Sequence, residues 1–272
     1  MTTPQHRRSA WPGLKGALAL LMALAVVTPC DAQDSTFTLG VGADYSTGDY
    51  GTGQDVDIWS VPVRANVETG RWKLELTVPY IAIRSAGDVV GGTDGPIVTK
   101  KKKNPAANTR TTESGLGDIV GSVGYAVLSG NDGLPLVEVT GKIKFPTASE
   151  SKGLGTGQFD YTAQIDVAKE FGRITPFATI GYRFIGEDSS LDLNNVLFVS
   201  VGAGYMFNDR ISAGLAVDYS QATTGGVDDP LELSPYLSWS LGDRWSLDVY
   251  GLIGLSGGSP DSGGGAHLSV AF

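Results

Sequence analysis

Charged residues recur at every second position in several stretches of this chain, interleaved with apolar ones. Between 134 and 145, Glu138, Thr140, Lys142 and Lys144 alternate with Val137, Val139, Ile143 and Phe145. Between 158 and 170, Asp160, Thr162, Gln164 and Asp166 alternate with Phe159, Tyr161, Ala163, Ile165 and Val167. Such alternation puts the two sets on opposite faces of a strand. Lining an aqueous lumen, the polar face would select solutes by charge and hydrogen bonding. The candidates for that role are Asp118, Glu138, Lys142, Lys144, Asp160, Asp166 and Arg183. Arg64, Lys73, Glu75, Arg173, Asp218, Glu232 and Asp248 join them as further lumen residues. Asp118, Lys142, Lys144, Asp160 and Arg183 are expected near one mouth. The competing expectation is a salt-bridged plug, because opposite charges across a narrow lumen pair. Mixed signs argue against strong selectivity for either ion sign.

Other chemistries find little support. A Ser-His hydrolase needs a histidine beside its nucleophile. After residue 32 the only histidine is His267, with Ser269 on the same face. No metal-ligand spacing is present, so neither metal nor cofactor is expected. Gly153-Leu154-Gly155-Thr156-Gly157 lacks the Lys-Ser/Thr of a phosphate-binding loop and precedes a strand. The net charge is −9, and removal of residues 1–32 would make it about −11, so nucleic acid is not an expected partner.

The elements that must position these residues are strands. Alternation over about ten residues, broken by turn residues, predicts twelve. They span 35–46, 55–67, 71–84, 117–128, 134–145, 158–170, 173–185, 195–207, 210–220, 231–241, 244–255 and 264–272. Glu68-Thr69-Gly70-Arg71-Trp72, Glu170-Phe171-Gly172-Arg173-Ile174, Phe207-Asn208-Asp209-Arg210-Ile211 and Leu241-Gly242-Asp243-Arg244-Trp245 are tight turns. Residues 129–133 form a fifth. The intervening connections, 47–54, 85–116, 146–157, 186–194, 221–230 and 256–263, are longer. Short turns at one end and long loops at the other fit the periplasmic and extracellular ends of a membrane barrel.

Further features fit an all-β transmembrane antiparallel barrel of about twelve strands. The last strand alternates and ends on Phe272, like the C-terminal signature of bacterial outer-membrane barrels. The barrel-assembly machinery is the partner expected to read it. Tyr45, Trp72, Tyr80, Tyr205, Phe207, Trp239 and Trp245 sit near strand ends, like interfacial girdles. At the N-terminus, Arg7, Arg8 and Lys15 precede an apolar stretch, 16–27, too short for a spanning helix. Residues 1–32 read as a secretory signal peptide cut after Ala32, and 33–272 as the barrel. Pro29 before Cys30 argues against lipidation. The remaining chain then lacks cysteine, which suits passage through an oxidising periplasm.

Two local features resist the simple pattern. Pro62, Pro79, Pro176 and Pro235 fall in strands, where each removes a ladder donor and implies a bulge or break. Pro135 suits a strand start. Lys100, Lys101, Lys102 and Lys103 lie in the longest loop. Contact with lipopolysaccharide phosphates, gating from inside the pore and a solvated loop are all open readings.

Three short motifs carry a family resemblance. Gly115-Leu116-Gly117-Asp118-Ile119 opens a strand and Lys144-Phe145-Pro146-Thr147 closes the next. Gly153-Leu154-Gly155-Thr156-Gly157 with Asp160 opens a third. Over roughly 113–185 this resembles the outer-membrane family named for the MetA pathway of phenol degradation. The resemblance implies a barrel in the bacterial outer membrane, in contact with its lipid and lipopolysaccharide. It also implies passive uptake of small organic, aromatic or hydrophobic solutes without catalysis. A non-conducting structural or adhesive barrel with a plugged lumen is the first alternative, and a lipid-modifying outer-membrane enzyme the second.

Overall fold

The computed structural model describes residues 35–51, 53–85, 89–92, 95–98, 110–130, 133–187 and 191–272. Residues 1–32 and Lys100–Lys103 lie outside them. The strands are β1 (Ser35–Gly48), β2 (Val56–Thr69), β3 (Trp72–Ser85), β4 (Val89–Gly92), β5 (Gly95–Val98) and β6 (Thr111–Leu116). They continue with β7 (Ile119–Ser129), β8 (Leu136–Phe145), β9 (Asp160–Ala168), β10 (Ile174–Phe184) and β11 (Val196–Met206). The last four are β12 (Ile211–Ser220), β13 (Leu231–Ser240), β14 (Trp245–Gly254) and β15 (Ser262–Ala271).

β1, β2, β3 and β7 to β15 form a closed antiparallel wall of twelve strands, because β1 pairs with both β2 and β15 and β3 pairs with β7. Closure leaves no strand edge of the wall unpaired, which lipid requires. Connection 85–116 is more than a loop. It holds the small β4–β5 hairpin and then β6, which pairs with the outer part of β3 above β7. Its Gly-, Pro- and Asn-rich composition hid this regular structure from period-2 reading.

The faces divide as alternation requires. Val139, Ile143, Tyr161, Ile165, Leu237 and Trp239 point outward and are exposed. Lys144 and Asp160, their inward neighbours, are buried. Trp72, Tyr80, Tyr205, Phe207 and Trp245 are exposed toward the strand ends, as interfacial anchors would be. The Tyr45 hydroxyl donates to Asp57 at 3.1 Å near the outer rim.

Three prolines coincide with lapses in the ladder. Pairing of β1 with β2 stops after Val41↔Val63 and resumes at Asp44↔Ser60, opposite Pro62. Pairing of β13 with β14 skips Pro235. The break between β6 and β7 faces Pro79, whose carbonyl instead accepts the Gly117 N–H at 2.8 Å. Pro176 keeps its place opposite Ala203 on β11, and β9–β10 pairing begins one residue beyond it. The one register shift within the β7–β8 ladder lies at Ala126/Leu128, away from any proline.

Turn chemistry fixes the periplasmic-type end. Gly70 and Gly172 adopt φ of 58° and 64°, which a β-carbon disfavours. Asn208 Oδ1 accepts the N–H groups of Arg210 and Ile211, both at 2.9 Å. At the opposite end, a β-carbon on Gly225 would meet no atom within 4 Å, and the same holds for Gly242 in a short turn. With no cysteine after residue 32, these sites give a direct topology test. A membrane-impermeant maleimide on intact cells should label Gly225→Cys and spare Gly242→Cys until the outer membrane is permeabilised. The reverse pattern would invert the orientation.

Candidate functional site in the barrel lumen

All three sequence motifs converge on one corner of the mouth at the long-loop end. Lys144, 1% exposed, points inward from the end of β8. Its ammonium lies 2.9 Å from Asp118 Oδ2 and 3.2 Å from Asp160 Oδ2, and donates to Thr156 Oγ1 at 3.1 Å. Both carboxylates are engaged on their other oxygens. Asp118 Oδ1 accepts the Ala148 N–H at 2.9 Å, and Asp160 Oδ1 the Gly186 N–H at 3.0 Å. A buried lysine is tolerable only when so paired.

That cluster straps connection 146–157 across the mouth. Thr147 accepts the Ile119 N–H at 2.9 Å and donates to the Gly117 carbonyl at 3.0 Å. A 3-10 turn, Glu150–Lys152, ends on Gly153 with φ 68°. Gly155 backs onto Asp118, where a β-carbon would come within 2.8 Å of Oδ2. Between these glycines Leu154, 2% exposed, packs with Tyr50, Val56, Ile83 and Ala148, against Ile58 and Ile81. The β4–β5 hairpin covers it, with the Gly91 N–H on the Gly153 carbonyl at 2.9 Å. Burial raises the Tyr50 hydroxyl above its ordinary pKa.

Deeper in the barrel a second network crosses β1, β2, β14 and β15. Arg64 donates from Nη1 to His267 Nδ1 at 2.9 Å. His267 Nε2 therefore carries the proton and donates to Asp44 Oδ1 at 2.6 Å. The Tyr250 hydroxyl donates to the same oxygen at 2.9 Å. Both imidazole nitrogens are engaged, and neither partner is Ser269. Gly42 faces the ring so closely that a β-carbon would overlap it.

The other sequence candidates are dispersed. Asp166 accepts from Thr179 at 2.6 Å and Gln164 at 2.8 Å. Glu138 accepts from Thr140 at 3.1 Å. Lys142 lies one inward position below Lys144, level with Ser122 and Thr162. Arg183 sits 5.8 Å over the Phe198 ring. Asp218 and Asp248 accept from Ser234 at 2.7 Å and Ser238 at 2.6 Å. Arg173 departs from expectation. It lies in the exposed turn ahead of β10, because pairing of the turn ends on Ile174.

The family described as "Putative MetA-pathway of phenol degradation" matches residues 32–272. The chain belongs to that family. Solved structures agree on the fold. An outer-membrane channel from Pseudomonas putida F1 superimposes with a TM-score of 0.68 at 12% identity, covering 90% of this chain and 100% of that one. The β domain of the Bordetella autotransporter BrkA gives 0.52 at 11% identity, with 88% and 99% covered. The NanC porin gives 0.50 at 13% identity, with 86% and 98% covered. This family member is a closed twelve-stranded antiparallel barrel.

Sequence reading grouped Asp118, Lys142, Lys144, Asp160 and Arg183; Asp118, Lys144 and Asp160 meet, and Lys142 lies one inward position below them. It passed over Asp44 and Tyr250, and quoted Leu154 and Thr156 only as members of a glycine-rich motif. The signal for Asp44 was its parity with Gly40 and Gly42 in the first strand. Leu154 had no such signal, because it belongs to a loop.

Proposed function

We propose that this protein is a passive outer-membrane channel for small apolar and aromatic organic solutes. The observation that carries the reading is the apolar cluster inside the outer mouth. Val56, Ile58, Ile81 and Ile83 point inward, where no lipid solvates them, and Leu154 fills the space between them. These side chains are packed against one another beneath the strap, and when it lifts they give an apolar surface that matches an apolar solute better than an ion. The family's description, which names phenol degradation, supports the same solute class. Below that cluster, Glu138, Lys142 and Asp166 line a hydrated path, and the lysine and acids orient polar groups of a passing solute. Asp118, Lys144, Asp160 and Arg183 frame the mouth above them. Transport down a gradient needs no catalytic group and no cofactor. Lys100–Lys103, four consecutive cations in the sequence, serve as a lipopolysaccharide contact. The terminal strand ending at Phe272 serves the assembly machinery.

One observation favours a second reading. The ion-paired strap over the mouth is what a plugged structural barrel would show. Planar-bilayer recording and vesicle uptake of phenol or toluene by the refolded protein separate the two. The channel reading expects solute uptake above protein-free vesicles. No uptake and no conductance would leave the plugged barrel. Leu154→Ala should weaken docking of the strap by about 2–5 kcal/mol and raise single-channel conductance. Unchanged conductance would detach Leu154 from gating.

A further inference from the structure

One wall of the lumen carries a repeated arrangement that the mouth does not explain. Phe177, Phe198, Tyr236 and Tyr250 project inward from β10, β11, β13 and β14. Each stands directly across the ladder from a glycine on a neighbouring strand. The pairs are Phe177↔Gly202, Phe198↔Gly181, Tyr236↔Gly214 and Tyr250↔Gly265. At Gly202, Gly181 and Gly214 a β-carbon would overlap the facing ring. At Gly265 it would come within 2.8 Å of Tyr250 Cε1, and at Gly204 within 2.7 Å of the Tyr236 hydroxyl. The rings therefore lie over backbone; Arg183 stands 5.8 Å over the Phe198 ring, whereas the other faces of Phe177 and Tyr236 are turned to the lumen.

The rings descend the barrel in order. Along β11, Phe198 is uppermost, Gly202 under Phe177 comes four residues lower, and Gly204 under Tyr236 two lower still. Six residues of strand rise about 20 Å. Phe177 and Tyr236 have centroids 6.3 Å apart. Ser200 falls between Phe198 and Gly202 on the inward face, and its hydroxyl, closed to solvent in this arrangement, has no hydrogen-bond partner among the described residues. Once a neighbouring side chain shifts for an entering solute, a hydroxyl without a partner there becomes a handle for a polar group.

We infer that Phe177 and Tyr236, below the Arg183-covered Phe198, form a stacking track for planar aromatic rings, with the Ser200 hydroxyl binding a substituent such as a phenolic OH. The inference rests on the channel reading above and adds the residues that favour aromatic over saturated solutes. A ring face attracts another ring by its quadrupole beyond simple apolar contact. A cyclohexane ring of the same width gains only the contact. Over the glycines, leucine would still cover the backbone but offer no π face.

The test is vesicle uptake of phenol against cyclohexanol by the refolded protein. Wild type should favour phenol. Phe177→Leu/Tyr236→Leu should lower the phenol-to-cyclohexanol ratio by roughly two- to tenfold per ring lost. Ser200→Ala, which leaves every ring in place, should lower phenol uptake and leave toluene uptake unchanged. If the double variant does not fold, this single variant decides alone. An unchanged phenol-to-cyclohexanol ratio in a folded double variant, or equal phenol and toluene responses in Ser200→Ala, would overturn the track. Wild type passing both solutes without preference overturns the track but spares the channel. Wild type passing neither overturns both.

Discussion

Lys144→Met should destabilise the barrel by about 3–5 kcal/mol, because breaking a buried ion pair leaves its partner charges uncompensated. Here two carboxylates, Asp118 and Asp160, share one ammonium within 3.2 Å. Without it they would repel across a space closed to water. The strap 146–157 should loosen at the same time, since Lys144 also holds Thr156 and Asp118 holds Ala148. Urea unfolding in lipid vesicles reads the stability, and protease cleavage near Ser151 reads the strap. Asp118→Asn/Lys144→Met/Asp160→Asn should recover most of the loss. Its amide oxygens can still accept the Ala148 and Gly186 N–H groups. Wild-type stability in Lys144→Met would show that the triad holds nothing.

Leu237→Arg tests the opposite face of the wall. Leu237 is 39% exposed on the outside of β13, between Pro235 and Trp239. In lipid that exposure is favourable, and a charge there costs about 2–4 kcal/mol near the midplane of a membrane barrel. Ser238, its neighbour, points inward and donates to Asp248. Ser238→Lys should therefore cost far less than Leu237→Arg, although the two positions are adjacent. Refolding yield and urea midpoint in vesicles distinguish them. Equal costs would mean the faces are wrongly assigned.

The contrast between those adjacent residues marks what the amino-acid order alone could determine. Alternation is a local property with a period of two, so Leu237 out and Ser238 in could be read without any knowledge of neighbours. The same holds for all twelve wall strands, whose observed bounds fall within a few residues of the expected ones. Turns such as Gly172 and Asn208 were legible because their backbone demands are local too. Closure of the barrel followed from lipid, which tolerates no open edge.

Contacts between distant segments were a different matter. Parity put Asp118, Lys142, Lys144, Asp160 and Arg183 on the inner face, but it could not say which charges meet. Asp118 reaches Lys144 because β7 and β8 pair in one register, and Thr156 reaches it only because a loop folds inward. Asp44 and His267 are 223 residues apart and meet where the last strand closes on the first. Gly181, Gly202, Gly214 and Gly265 fall in segments that alternation had already placed in strands. Their role opposite Phe177, Phe198, Tyr236 and Tyr250 depends on cross-strand register, which no single strand encodes. Strand existence and facing are fixed by each segment's own solvation, whereas pairing, loop docking and the partners of buried charges are set by closure of the whole wall.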